Sequence, residues 1–138
     1  WDLLDVGTGS GILAIYGAML GADPVTALDT DEEALRWAEW NIRLNNTATA
    51  IGLSSEPLEN WTAPFDVVTA NLILEVIMDL LPCFPRVVRP GGHLVLSGLL
   101  KDQVEPLVPA LNATGFFTTK VLEREEWACV IVQAKEEA

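Results

Sequence analysis

Basic side chains are scarce in this sequence: eight Lys and Arg stand against twenty Asp and Glu in 138 residues, a formal net charge of −12. That balance disfavours a nucleic-acid binder or a protein that docks on anionic membranes, because both require a positive surface. A basic protein partner suits it better. Cysteine is nearly absent, with only Cys83 and Cys129. Two residues so far apart, each in an apolar neighbourhood, read as buried free thiols and not as a disulfide or a metal pair. The single histidine, His93, follows Gly92 at the start of a predicted strand and reads as a structural edge residue, and no metal site is expected. No apolar run approaches the roughly 20 residues that cross a bilayer. No basic-then-apolar leader is recognisable either, since Trp1-Asp2-Leu3-Leu4-Asp5 is already strand-like, so the cytoplasm is the expected compartment.

What is present is a large apolar content, half of all residues. A chain of this length buries roughly two-thirds of its unfolded surface, so one domain over residues 1–138 is expected. Short apolar runs alternate with helix-compatible stretches. Leu3 to Val6 reads as a strand, Ile12 to Leu20 as a helix stopped by Gly21, and Val25 to Leu28 as a second strand. Asp31, Glu32 and Glu33 then give the acidic first turn of a helix whose buried stripe is Leu35, Ala38 and Ile42. Ala48 to Leu53 is a third strand, Ser54 to Pro64 a polar loop, and Phe65 to Ala70 a fourth strand that presents Asn71 at its end. A helix through Leu74, Ile77, Met78 and Leu81 is disturbed by Pro82 and Pro85. Pro90-Gly91-Gly92 turns the chain into a strand over His93 to Leu96, and a further helix carries Val104, Leu107, Val108 and Leu111 despite Pro106 and Pro109. Phe117 to Leu122 and Trp127 to Val132 leave no room for a crossover and must pair as an antiparallel hairpin. The expectation is an α/β fold: a doubly wound, mostly parallel sheet with helices on both faces and a closing antiparallel hairpin.

Ligands of such sheets bind outside the carboxyl ends of the strands. Three segments are expected there. In the turn Asp5-Val6-Gly7-Thr8-Gly9-Ser10-Gly11, Gly7 and Gly9 allow close backbone approach to a ligand, and Gly11 allows the next helix to pack tightly on the strand. Asp29 ends the second strand, 22 residues after Gly7, where its carboxylate can accept from both hydroxyls of a ribose, with Thr30 and Asp31 available to cap the next helix. Asn71 offers a donor and an acceptor at the end of the fourth strand, fit to position a reactant or to cap a helix. Either a dinucleotide or an adenosyl sulfonium fits a glycine turn with a ribose acid. The even spacing of Gly7, Gly9 and Gly11 departs from G-x-G-x-x-G, and Asp5 beside the turn repels a pyrophosphate but suits a ligand with a cationic amino group. Trp37 and Trp40 lie on one predicted helix and, with Trp61, read as packing residues.

Leu4 to Leu13, Leu-Asp-Val-Gly-Thr-Gly-Ser-Gly-Ile-Leu, resembles the first motif of class I methyltransferases. Ala27-Leu28-Asp29-Thr30-Asp31 is similar to the second-strand acidic motif of that family, Phe65 to Leu72 to its fourth-strand motif, and Arg89-Pro90-Gly91-Gly92 to the turn before its fifth strand. Within it, Ala70-Asn71-Leu72, Leu96-Ser97-Gly98-Leu99 and Glu126-Trp127-Ala128 resemble the methyltransferases of large-subunit ribosomal protein eleven. The resemblance implies a seven-stranded Rossmann-like sheet, S-adenosylmethionine as cofactor and a protein amine, lysine or N-terminal, as acceptor. It implies cofactor contacts from Asp5, Gly7, Thr8, Gly9, Asp29, Thr30 and Asn71, with Ser55 near the adenine and Asn71 as the catalytic residue. It also implies an N-terminal recognition region and a cofactor-closing segment ahead of the first strand, so a chain opening at that strand is expected to be the catalytic domain alone. The competing readings are a class I methyltransferase for a small molecule and a non-catalytic dinucleotide-binding domain.

Overall fold

Four consecutive buried side chains, Leu3-Leu4-Asp5-Val6, form the first strand (β1, Leu3–Val6), as expected of a strand covered on both faces. The computed structural model describes residues 1–136 and divides into two units, Trp1–Trp61 and the residues from Thr62 onward. In the first unit, β1 pairs in parallel with β2 (Val25–Leu28), and β2 in parallel with β3 (Ile51–Ser54). The helices α1 (Ile12–Met19) and α2 (Glu32–Leu44) make the crossovers. Asp31 caps α2, its carboxylate accepting the Glu33 N–H at 3.0 Å, so an acid supplies the missing partner where the helix dipole favours one. Of the expected stripe, Ala38 and Ile42 are buried and Leu35 is half-buried.

Strand β3 starts later than the β-rich run from Ala48 suggested. The Thr47 hydroxyl donates to the Ile42 carbonyl at 3.0 Å, and the Ala50 N–H donates to the Thr47 carbonyl at 3.1 Å. These local bonds hold residues 47–50 in a turn, so the pairing with β2 begins only at the Ala50 carbonyl, which accepts the Val25 N–H at 2.8 Å. The following polar loop contains a single 3-10 turn, Leu58–Asn60, anchored by buried Leu58.

In the second unit, β4 (Phe65–Asn71) pairs in parallel with β5 (Val88–Leu100), β7 (Trp127–Ala134) pairs antiparallel with β5, and β6 (Phe116–Arg124) antiparallel with β7. The helix α3 (Leu74–Leu80) passes through a 3-10 turn, Leu81–Cys83, into the short α4 (Phe84–Val87), as Pro82 and Pro85 require. Strand β5 is far longer than His93 to Leu96. Phe65 is opposite Val88 and Val67 opposite His93, so the Pro-Gly-Gly segment is an excursion within a strand, not its start. Arg89 holds the excursion, its guanidinium pairing with Asp66 at 2.5 Å and donating to the Pro64 carbonyl at 3.1 Å, while the Gln133 amide donates to the Gly91 carbonyl at 2.9 Å. His93 therefore lies inside the sheet, opposite Val67 on one side and Gln133 on the other, and is not an edge residue.

Helix α5 (Lys101–Ala113) accommodates both prolines because Pro106 and Pro109 are exposed. The carbonyls they leave without helical donors, on exposed Asp102 and Glu105, can turn to water. The hairpin closes with two residues, Glu125 and Glu126, with Glu125 at φ +56°, so both strands run longer than the sequence suggested. Alternation sorts the side chains of this unit. Val68, Ala70, Leu94, Leu96, Val130 and Val132 are buried with Phe84, Leu107, Leu111 and Phe116, whereas Val67, Thr69, Val95, Cys129 and Ile131 alternate with them and are half-buried. Leu94→Ala is expected to cost about 3 kcal/mol, and neighbouring Val95→Ala clearly less, in urea unfolding followed by circular dichroism; equal losses would refute the one-sided core.

Candidate functional site

The glycine turn leaves β1 with Gly7, Gly9 and Gly11 at φ +69°, +56° and +86°, a left-handed sequence that side chains at those positions would strain. Two clasps hold it. Asp5, at 2 % exposure, accepts the Thr8 hydroxyl at 2.7 Å, and the Thr8 N–H donates to the Leu28 carbonyl at 2.8 Å at the end of β2. Asp29 makes the second clasp, with one carboxylate oxygen accepting the Gly9 N–H at 2.9 Å and the other the Asp31 N–H at 3.0 Å. The expectation that Asp31 caps α2 is met, but Asp29 is not thereby idle: it orders the turn. Each of its oxygens keeps a further lone-pair site, and the residue is only half-buried, so two hydroxyl donors can still be accepted.

Gly9 faces open space, since a Cβ built there would meet nothing within 4 Å. Gly11 differs from its expected role: a Cβ there would lie 3.3 Å from the Ala38 Cβ, so the close approach it permits is to α2 and not to a strand. Thr8 is buried with its hydroxyl committed to Asp5, and Thr30 is exposed beside Asp29. Ser55 is exposed just beyond β3, and the Asp29 N–H donates to the carbonyl of the preceding Ser54 at 3.2 Å. The first unit thus gathers the turn, Asp29, Thr30 and Ser55 at the carboxyl ends of neighbouring strands. Exposed Trp37 and Trp40 on α2 are not part of this cluster.

Asn71 belongs to the second unit, exposed at the end of β4 opposite Ser97. It does not cap the next helix: Ile73 is the cap residue of α3, without a side-chain bond. A cavity of 470 Å³ opens beside Asn71, lined by Ser97, Gly98 and residues of the hairpin including Leu122, Trp127 and Cys129. Its origin is a bulge. Leu96 is opposite Val130 and Leu99 opposite Ala128, so Ser97 and Gly98 together face the single residue Cys129. Gly98 has φ +81°, and a Cβ there would stand 2.5 Å from the Asn71 amide oxygen. In the sequence, Leu96-Ser97-Gly98-Leu99 stands out only as a motif, and a glycine inside a β-run is the signal that marks the bulge. Cys83 is buried and in no disulfide, as expected, but Cys129 is only half-buried, and burial pushes its thiol pKa up. Among the described residues, no cluster of His, Cys, Asp and Glu is placed to hold a metal, and no helix is long and apolar enough to cross a membrane.

The model of one protein family, ribosomal protein L11 methyltransferase (PrmA), matches residues 2–135. The ribosomal protein L11 methyltransferase of Geotalea uraniireducens (strain Rf4) is 39 % identical over 131 residues, 93 % of this chain and 41 % of that protein. That of Bacillus cytotoxicus is 39 % identical over 132 residues, 95 % of this chain and 42 % of that protein. The chain spans about two fifths of the length of these curated relatives. A crystal structure of ribosomal protein L11 methylase from Lactobacillus delbrueckii subsp. bulgaricus superposes with a TM-score of 0.92 at 32 % identity, covering 98 % of this chain and 70 % of that one. The fold is therefore the expected Rossmann-like methyltransferase fold, a seven-stranded and mostly parallel sheet with an antiparallel C-terminal strand.

Asp29→Ala is expected to weaken S-adenosylhomocysteine binding about tenfold or more, since charge-assisted bonds contribute about 1.5 to 3 kcal/mol each; calorimetry returning an unchanged affinity would remove Asp29 from the site. Gly98→Ala forces the Asn71 amide aside and a residue other than glycine into a left-handed conformation, so it should cost about 1 kcal/mol or more of stability. A thermal melt of that variant matching the parent would show that the bulge tolerates a side chain.

Proposed function

The chain belongs to the ribosomal protein L11 methyltransferase (PrmA) family, and from that premise we propose that it binds S-adenosylmethionine through the glycine turn and Asp29 and transfers its methyl group to a protein amine. The observation that carries this reading is the Gly9 to Asp29 clasp, which puts open backbone beside a half-buried carboxylate with unused lone pairs. That donor set fits an adenosyl ligand: Asp29 accepts the ribose hydroxyls, Thr30 and exposed Ser55 flank the adenine side, and Gly7 and Gly9 let the ligand lie against main chain. Asp5 and Thr8 keep the turn in shape, and the carboxylate of Asp5 gives the turn a negative field suited to the amino group of the ligand's methionine part. Bound there, the sulfonium supplies an activated methyl group.

The acceptor must be a neutral amine aligned with that methyl. Its lone pair forms the new N–C bond as the C–S bond breaks, S-adenosylhomocysteine leaves, and the extra proton on nitrogen passes to water. Asn71 orients the amine through its amide, which is free for that role because α3 does not use it as a cap. No general base is required. Residues 1–138 act in this proposal as one methyltransferase domain of the cytoplasm, with a basic protein, a large-subunit ribosomal protein such as L11, as partner. The charge of −12 favours that partner over nucleic acid or an anionic membrane. Calorimetric titration with S-adenosylhomocysteine and with NAD tests the reading: binding of the former and not the latter is expected, and preference for NAD would overturn it.

A further inference from the structure

Helix α2 carries a residue that helix formation alone does not explain. Asn41 lies inside the helix, ahead of its last residue Leu44, at a position where asparagine is among the poorer helix formers. Asn45 and Asn46 are different, because they follow Leu44, and Asn46 takes φ +56°, a left-handed conformation that asparagine tolerates at a helix end. Asn41 has no such terminal role. Its side-chain amide instead donates to the Ser10 carbonyl at 2.9 Å, 31 residues back along the chain and inside the glycine turn. Residues three apart on a helix share a side, so Ala38 and Asn41 both face the turn. A Cβ on Gly11 would stand 3.3 Å from that of Ala38, and this close approach of turn and helix brings Asn41 within reach of Ser10.

The peptide unit between Ser10 and Gly11 is thereby held at both ends. Its carbonyl accepts from Asn41, and its N–H, on Gly11, donates to the Thr8 carbonyl at 2.9 Å. A peptide unit followed by glycine can turn over at little steric cost, because glycine accepts φ of either sign. The Leu28 carbonyl and the Asp29 carboxylate restrain the turn through the N–H groups of Thr8 and Gly9, on the other side of Ser10. We propose that Asn41 is a positioning residue of the cofactor site, holding the Ser10 carbonyl toward α2 so that the turn presents a single backbone arrangement to the ligand. A ligand that binds one arrangement loses affinity in proportion as that arrangement is depopulated, so removing the clamp weakens binding without removing a ligand contact. The proposal rests on the cofactor reading above and deepens it.

Calorimetric titration of the whole chain with S-adenosylhomocysteine compares the parent with Asn41→Ala, Asn41→Asp and Asn45→Ala. Asn41→Ala removes the donor but installs the best helix former, so a melting temperature close to the parent's is expected together with about fivefold weaker binding. Asn41→Asp keeps the shape and sets a carboxylate against the Ser10 carbonyl, so its loss should be larger, about tenfold. The Asn45 amide bonds to the Asn41 main-chain carbonyl at 2.8 Å, within the helix, and Asn45→Ala should bind as the parent does. In the ligand-free chain, hydrogen exchange at the Gly11 amide, read by NMR relative to the amides of β1, should be about fivefold faster in Asn41→Ala than in the parent. Parent-like affinity in both Asn41 variants, an equal loss in Asn45→Ala, or unaltered Gly11 exchange overturns the proposal. A parent chain that binds no S-adenosylhomocysteine counts instead against the cofactor reading, and the Gly11 exchange, measured without ligand, still decides whether Asn41 orders the turn.

Discussion

The carboxylate of Asp29 is the constraint on which the first unit's site depends. Three left-handed glycines within five residues give a turn with little intrinsic preference for one shape, because glycine loses more backbone freedom on ordering than any other residue. Asp29 offsets that loss by accepting the Gly9 N–H with one oxygen and the Asp31 N–H with the other. It thereby fixes the turn to the end of β2 and the entry of α2 at once. Hydrogen bonds to a charged acceptor contribute about 1.5 to 3 kcal/mol each, a large fraction of a domain's net stability. In the proposed cofactor site, a ligand hydroxyl at Asp29 would meet an acceptor already oriented. It need not pay again for ordering the loop.

The second unit solves the equivalent problem with a bulge. Asn71 is useful only if its amide is held at the strand end without being consumed by a cap, and the absence of a Cβ at Gly98 makes that room. The Leu72 N–H donates to the Ser97 carbonyl at 3.1 Å, so the chain beyond Asn71 stays tied to the bulged strand. Bulges recur beside functional sites because they re-aim side chains without ending the sheet. Here the insertion of one residue into β5 opposite Cys129 both opens a cavity and sets the orientation of the amide beside it.

Much of this was legible in the sequence, and the exceptions have physical reasons. Periodicity located every strand and both long crossover helices, since buried parallel strands are short apolar runs and α2 carries a one-sided stripe. It misplaced the start of β3, where Thr47 bonds locally, and the extent of β5, where Pro90-Gly91-Gly92 reads as a turn although Arg89, Asp66 and Gln133 hold it within the strand. Asp29 and Asn71 are legible as the polar residues that end short apolar runs, whereas Ser55 rests on the family resemblance. The clasp role of Asp29, the α2 contact of Gly11 and the cavity behind Gly98 depend on which atoms approach in space, and no spacing rule encodes that.

The faces of the second unit's sheet also bear on its chemistry. One face is filled by Leu94, Leu96, Val130 and Val132 against α4 and α5, and is closed to reactants. The alternate face, half-buried along Val67, Thr69, Val95, Cys129 and Ile131, is apolar up to the strand ends where Asn71 stands. Methyl transfer to an amine creates no oxyanion and needs no acid, so an apolar approach with a single amide at its end suffices if it removes water and favours the uncharged nucleophile. Of the acidic side chains of the hairpin, Glu123 borders the cavity beside Asn71 and pairs with Lys101 at 3.7 Å, and Glu125 and Glu126 form the turn. In the proposed reaction an acidic exterior attracts a cationic partner, while the apolar face favours the uncharged amine.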